Sequence, residues 1–164
     1  MNIIGLDIGS TGCKAIVFNP EGKILGSGFR EYGIEYDDSG KAEQDAEKIW
    51  SVACEVIKKA LNSSLVRQIK AIGVSVQGDA VIPVDRNFNP THNAILGMDY
   101  RSSEFLPMCE EIFGSKKLFK LTGMRPHPIN SLIKILWFKN KKPSEFKKTY
   151  KIVRLKFPFS FFLS

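Results

Sequence analysis

The chain opens with two short apolar runs, Ile3, Ile4 and Leu6 and then Ala15 to Phe18, on either side of a polar turn of Gly9, Ser10, Thr11 and Gly12. That pattern predicts strand, turn, strand. Gly22 and Lys23 make a further turn, and KILGSGFREYGIEY is expected to continue as a third strand up to residue 36. The acidic, glycine-containing segment DDSGKAEQD reads as a loop. The period then changes. Ala46, Ile49, Trp50, Ala53, Val56, Ile57, Ala60 and Leu61 recur at helical spacing behind Asp45, a residue type suited to an N-cap, which predicts one amphipathic helix ending near Asn62.

Beyond that helix, Ile69 to Val76 reads as a buried strand and Ala80 to Val84 as the next, with Gln77, Gly78 and Asp79 at the turn between them. RNFNPTHN is a loop carrying an Asn-Pro signal, and Ala94 to Leu96 a short strand. From Arg101 the character is helical: SSEFLPMCEEIFG, SKKLFKLTG and INSLIKILWFKNKK are separated by Gly114, Gly123 and the pair Pro126 and Pro128. Strands followed by helices predict a mixed α/β domain. The last segment, KIVRLKFPFSFFLS, starts as a strand and then gathers Phe157, Phe159, Phe161 and Phe162 around Pro158. A domain seldom ends on an exposed aromatic run, so the expected organisation is a domain over residues 1–155 and an anomalous tail over 156–164, with the natural chain interrupted there.

At 164 residues and 43% hydrophobic content the chain can bury a real core. Its start has no basic region ahead of an uninterrupted apolar stretch, and no run approaches bilayer-spanning length, so the expected location is the cytoplasm. Cys13, Cys54 and Cys109 are widely spaced and form no CxxC pair, and only His92 and His127 are present to complete a metal site. They are expected to be reduced thiols in apolar slots. The net charge of +7 hides a split: residues 1–113 hold 11 Lys and Arg against 16 Asp and Glu, whereas residues 114–164 hold 13 against the single Glu145. A basic third of this kind suits nucleic acid in principle. Here its lysines lack interleaved aromatics and fall at helix ends, so a solvated face, or one meeting an acidic partner, is the expectation and nucleic acid is not.

The first turn carries the candidate chemistry. Glycines let backbone amides approach an anion, the Ser10 and Thr11 hydroxyls are donors for phosphate oxygens, and Asp7 at the strand end suits a hydrated Mg²⁺. The spacing is neither GxGxxG nor GxxxxGK[ST], and the turn opens into a strand, so the Rossmann and P-loop readings fail. An ordinary hairpin, with Gly and Asp serving only the turn, is the alternative.

Taken in order, LDIGSTGCKAIVF, AEQDAEKIW, AIGVSVQGDAVIPVD, NAILGMDYRS and LTGMRPHPINSLIKILWFK resemble successive motifs of the N-terminal domain of the FGGY carbohydrate kinases. Five motifs in the family's order are far more specific than any one alone. The resemblance implies a ribonuclease H-like, actin-like α/β fold, a mixed sheet flanked by helices, with ATP and Mg²⁺ as cofactors and a small sugar or polyol as acceptor. Asp7 would steer Mg²⁺, Gly9, Ser10 and Thr11 would face the nucleotide phosphates, and Lys14 would add charge near the γ-phosphate. Gln77, Gly78 and Asp79 would touch the acceptor, and Asp99 and Arg101 approach it again. The family's catalytic base would follow residue 164, as would its C-terminal domain, so the chain alone is expected to be inactive; a homo-oligomer is compatible.

Where this chain has Gly78 and Asp79, the resemblance sets Met-His in xylulose kinases and Arg-Glu in glycerol kinases. Gly97 stands in place of a glycerol-kinase Trp, and Ile129 in place of an aromatic contact. A carboxylate at a strand end suits vicinal hydroxyls; the plainer alternative is that Asp79 closes a turn. His127 is expected to be a loop or packing histidine. Rival readings are an actin- or Hsp70-like ATPase domain, against which the EQD and LTG segments speak, and a non-catalytic remnant binding a partner through its basic third.

Overall fold

A computed structural model describes residues 1–155 and divides the chain into two compact units, one built from residues 1–34 and 45–77 and the other from 35–44 and 78–154. The tail over 156–164 lies outside the described residues.

The first unit is a four-stranded mixed sheet with one helix. Strands β1 (Ile3–Ile8), β2 (Gly12–Phe18) and β3 (Ile24–Glu31) form an antiparallel meander, and β6 (Ala71–Val76) pairs with β1 in parallel, giving the order β3-β2-β1-β6. Period-two alternation sends Ile4, Leu6, Ile8, Cys13, Ala15 and Val17 to one buried face. Helix α1 (Ala46–Ser64) presents Ile49, Val52, Ala53, Val56 and Ala60 as its buried stripe in the same unit. Asp45 caps it, its carboxylate accepting from the amides of Glu47 (2.9 Å) and Lys48 (3.0 Å). The helix lies close on β3 because Gly26 and Gly28 leave room: a Cβ at Gly26 would stand 2.5 Å from the Ala60 carbonyl oxygen, and one at Gly28 would overlap that of Val56.

The second unit holds β4 (Glu35–Tyr36), β5 (Ala42–Gln44), β7 (Val81–Val84), β8 (Ala94–Ile95) and β9 (Lys151–Arg154) in the antiparallel order β4-β5-β8-β7-β9. A 3₁₀ turn over Arg101–Phe105 leads into α2 (Leu106–Phe113), followed by α3 (Ser115–Thr122), α4 (Ser131–Lys141) and α5 (Pro143–Lys148). Gly114 and Gly123 take positive φ of 76° and 72° at the breaks. Val81, Ile95, Trp137 and Phe138 form the core of this unit, with Phe105, Phe146 and Ile152 packed against it.

Three expectations change. The third strand stops at Glu31: Tyr32 turns inward, its amide donating to the Thr11 carbonyl at 3.1 Å, and Glu35–Tyr36 pairs in the other unit. Residues 42–44 are not loop but a fully buried strand, held by pairing with β4 and β8. Strand β6 is an edge strand, so Ala71, Gly73 and Ser75 are exposed where a buried strand was expected. The lysines of α4's last turn, α5 and β9 are solvated as expected, Lys139, Lys141, Lys147, Lys148 and Lys151 all being exposed. No helix among the described residues is long and apolar enough to cross a membrane.

Candidate functional site

In the first unit the antiparallel register sets Asp7 opposite Lys14, both exposed on the face turned away from the buried stripe. A shallow groove of about 470 Å³ runs over that face, floored by Gly5, Ile16, Phe18 and Gly73, with Asp7, Lys14 and Ser75 also lining it. The turn between them is tightly organised. The Gly9 amide donates to the Gly12 carbonyl at 3.0 Å, and the Tyr32 hydroxyl donates to the Gly9 carbonyl at 2.6 Å. A Cβ at Gly12 would stand 2.8 Å from the Arg30 carbonyl oxygen, so pairing with β3 demands that glycine. The glycines therefore build the turn, and its ligand-facing capacity rests on Ser10, exposed Thr11, Lys14 and Asp7.

Burial, with the charges of Cys13 and Asp7, pushes the Tyr32 phenol well above its ordinary range, so it stays a donor. Burial and the Asp7 charge likewise push the Cys13 thiol up to about 11, which keeps it protonated and inert. A single exposed carboxylate at a strand end fits Mg²⁺ held through water beside phosphates; among the described residues no cluster of three or more His, Cys, Asp or Glu forms a metal cage.

Gln77 belongs to the first unit, its amide donating to the Ile8 carbonyl at 3.3 Å, while Gly78 and Asp79 belong to the second. Asp79 precedes β7, and because β7 pairs with β9 through Val81 and Arg154, the Arg154 guanidinium comes within 3.6 Å of its carboxylate. Asp79 and Arg154 line a cavity of about 280 Å³ with Thr122, Met124, Pro126, Asn130 and Ser131. The Ser131 Oγ is buried with no hydrogen-bond partner among the described residues. A carboxylate and a guanidinium at a cavity at the small end of ligand-pocket sizes, otherwise walled largely by apolar groups such as Leu118, Leu132 and Ile133, suit a small molecule carrying hydroxyls. His127 is a loop residue, its Nδ1 accepting from the Ile129 amide at 3.1 Å.

Asp99 and Arg101 are placed elsewhere in the second unit's chemistry. Asp99 is 1% exposed, and its carboxylate accepts from the Ala42 amide at 2.9 Å and from Arg101 Nε and Nη2 at 3.0 and 2.7 Å. Arg101 Nη2 also reaches Glu43 Oε1 at 2.5 Å, and the guanidinium lies 4.1 Å from the centre of the Trp137 ring. His92 Nε2 meets the same Glu43 oxygen at 2.9 Å. Burial works to raise the Glu43 carboxyl, but the hydrogen bonds and charges of His92 and Arg101 overcome it and hold it at about 2. These groups serve one another. Glu43, His92, Trp137, Tyr32, Lys134, Ser131 and Arg154 are the residues that sequence reasoning did not single out; the one signal for Glu43 was its place in the EQD motif.

These features define a class of protein, an α/β domain with a glycine-built hairpin carrying Asp7 and Lys14 on one unit and a small cavity edged by Asp79 and Arg154 on the other. A family model described as the FGGY family of carbohydrate kinases, N-terminal domain, matches residues 2–158, and the chain belongs to that family. It is 35% identical over 138 residues to a glycerol kinase of Rippkaea orientalis, covering 82% of this chain and 28% of the relative. It is 30% identical over 155 residues to a probable L-xylulose kinase of Haemophilus influenzae, covering 92% and 31%. Among solved structures, gluconate kinase from Lactobacillus acidophilus superposes with a TM-score of 0.86 at 28% identity, covering 94% of this chain and 31% of that one. Xylulose kinase from Rhodospirillum rubrum, at 20% identity, shares the fold with a TM-score of 0.90 over 95% of this chain and 32% of its own. The expected ribonuclease H-like, actin-like α/β fold is thus the observed one, and the chain spans under a third of the length of these relatives.

Proposed function

We propose that this chain is the N-terminal part of an ATP- and Mg²⁺-dependent kinase that transfers the γ-phosphoryl group to a hydroxyl of a sugar or polyol. The observation that carries the acceptor side is the Asp79 carboxylate lining, with Arg154, a cavity of about 280 Å³. In this reading Asp79 accepts hydrogen bonds from neighbouring acceptor hydroxyls. On the nucleotide side the Ser10 and Thr11 hydroxyls donate to phosphate oxygens, Lys14 adds positive charge, and Asp7 holds Mg²⁺ through water. Mg²⁺, when bound, supplies charge neutralisation at the phosphates. Gln77 and Gly78 lead the chain into Asp79, whereas Asp99 and Arg101 are engaged with Ala42, Glu43 and each other.

In this reading the chain's own residues bind and orient the nucleotide and the acceptor. The test is calorimetric binding of glycerol, L-xylulose and D-gluconate to the 164-residue chain and to Asp79→Ala, with Mg²⁺-ATP binding measured in parallel. Asp79→Ala should weaken acceptor binding at least tenfold and leave Mg²⁺-ATP nearly unchanged, since a site built for hydroxyls is left with unpaired partners. Equal acceptor binding by both proteins would refute the acceptor assignment. Sugar-dependent ADP release by the purified chain would refute the expectation of inactivity.

A further inference from the structure

Among the described residues Lys134 is the one fully buried lysine, 0% exposed in the first half of α4. Its ammonium donates to the carbonyl oxygens of Pro128 at 2.8 Å and Ile129 at 2.6 Å. The Ser102 hydroxyl adds a third contact to the same segment, donating to Pro128 O at 3.3 Å. A methionine would fill the slot without desolvating a charge, so packing alone gives no reason for an ammonium here. The clamped segment has a specific neighbour. A Cβ at Gly97 would stand 3.6 Å from Ile129 Cγ1 and 3.6 Å from Asp79 Cβ, so the Ile129 side chain, Gly97 and Asp79 meet at one place. The backbone that Lys134 holds is the backbone that presents Ile129 there.

We propose that Lys134 is a positioning residue of the acceptor side: by gripping the Pro128 and Ile129 carbonyls it fixes the Ile129 side chain beside Gly97 and Asp79, and so sets the size of acceptor that Asp79 receives. The size claim rests on the acceptor reading of Asp79 above; the clamp itself does not. Burial lowers the Lys134 ammonium to about 8, against the opposing pull of the Asp79 and Asp99 carboxylates. The other charged or titratable groups on the elements packed against α4 are Arg101, held by Asp99, and Glu104, paired with Lys141, on the 3₁₀ turn; Cys109, whose thiol burial pushes up, with Glu110 and Glu111 on α2; and Glu145, Lys147 and Lys148 on α5.

The test uses the 164-residue chain with isotope-labelled isoleucine methyls and lysine side chains. In the wild type without ligand, the Lys134 signal should titrate near pH 8 and the Ile129 methyl should move with the same midpoint. An Ile129 methyl that stays flat while Lys134 titrates, at whatever midpoint, overturns the clamp. In Lys134→Met the Ile129 and Gly97 signals should shift while those of the Gly9–Gly12 turn stay; unchanged Ile129 and Gly97 signals overturn it as well. The wild-type titration decides even where the variant fails to fold.

Binding of glycerol, L-xylulose and D-gluconate then tests the size claim. Lys134→Met should change the ratio of glycerol to D-gluconate affinity by roughly tenfold, whereas Asp79→Ala should weaken all three. A ratio equal to the wild type's removes the size claim while the clamp stands on the spectra. Asp79→Ala binding like wild type, or no binding of any of the three polyols, refutes the acceptor reading and the size claim with it, and the ligand-free spectra still decide the clamp.

Discussion

Replacing Glu43 by glutamine keeps the shape of the side chain and removes its charge from a site where the Arg101 guanidinium and the His92 ring converge. Glu43 is 2% exposed, with Arg101 Nη2 at 2.5 Å, His92 Nε2 at 2.9 Å and the more distant Lys41 ammonium at 3.7 Å. Its carboxyl falls from 4.5 to about 2 on folding, and at about 1.4 kcal/mol for each tenfold change in proton affinity this amounts to roughly 3 kcal/mol of stability at neutral pH. A depressed carboxyl contributes its full share above the unfolded value of 4.5 and loses it as pH falls towards 2. By pH 3 about 2 kcal/mol of that share should be gone, the proton being taken up more readily by the unfolded chain. The assay is urea unfolding of wild type and Glu43→Gln at intervals from pH 7 to pH 3, read as the difference between the two proteins so that other carboxyls cancel. The difference should be roughly 2–4 kcal/mol at pH 7 and shrink steadily below pH 5, because the variant has nothing to protonate there. A difference that stays constant across the range would show that the Glu43 carboxyl is not held down by its partners, and the account of this network would fail.

Gly28→Ala should destabilise by about 1–3 kcal/mol in the same assay, since the added methyl overlaps the Val56 carbonyl and stands 2.8 Å from Lys59 Cβ; Gly33→Ala, with nothing within 4 Å, should be near neutral. Tyr32→Phe should lose about 1 kcal/mol and speed amide exchange at Gly9, because the hydroxyl that anchors the Gly9 carbonyl is gone; unchanged exchange would mean the turn holds itself. Asp45→Ala should lose about 1 kcal/mol with the loss confined to the first turn of α1 by hydrogen exchange.

How far the residues announced these elements depends on whether the information was local. Helix α1 was readable because its apolar stripe repeats at 3.6 and its cap is an aspartate at the position a cap requires. The opposition of Asp7 and Lys14 follows from any short hairpin around Gly9 to Gly12. Strand β5 was not readable: Ala42, Glu43 and Gln44 carry no apolar alternation, and the burial of Glu43 depends on residues 92 and 101, distant in sequence. The third strand overran for a related reason, since the pattern shows Tyr32 as one more apolar position and not that its hydroxyl turns to Gly9. For the site, the sequence singled out Asp79 but not its partner Arg154, which only the β7–β9 register brings near. Lys134 was hidden by its surroundings: in a lysine-rich third of the chain, nothing local separates the buried cation from the solvated ones.

The three charges that this unit buries almost completely, Glu43, Asp99 and Lys134, bear on what the unit is built to hold constant. Each is unfavourable to desolvate, and well-packed apolar residues of the same volume would stabilise the domain at least as well. What apolar residues would not do is tie one backbone atom to another. Asp99 grips the Ala42 amide, Glu43 holds Arg101 against Asp99, and Lys134 grips two consecutive carbonyls before α4. Asp99 and Lys134 therefore act directly on main chain, one at β5 and the other at the segment carrying Ile129, and Glu43 acts through the Arg101 side chain that Asp99 also holds. Such contacts exclude alternative placements of a loop more sharply than packing does, because a shifted carbonyl leaves a buried charge without a partner. On the proposed reading, the expense of burying them is intelligible as keeping the cavity beside Asp79 in shape for a small polar molecule.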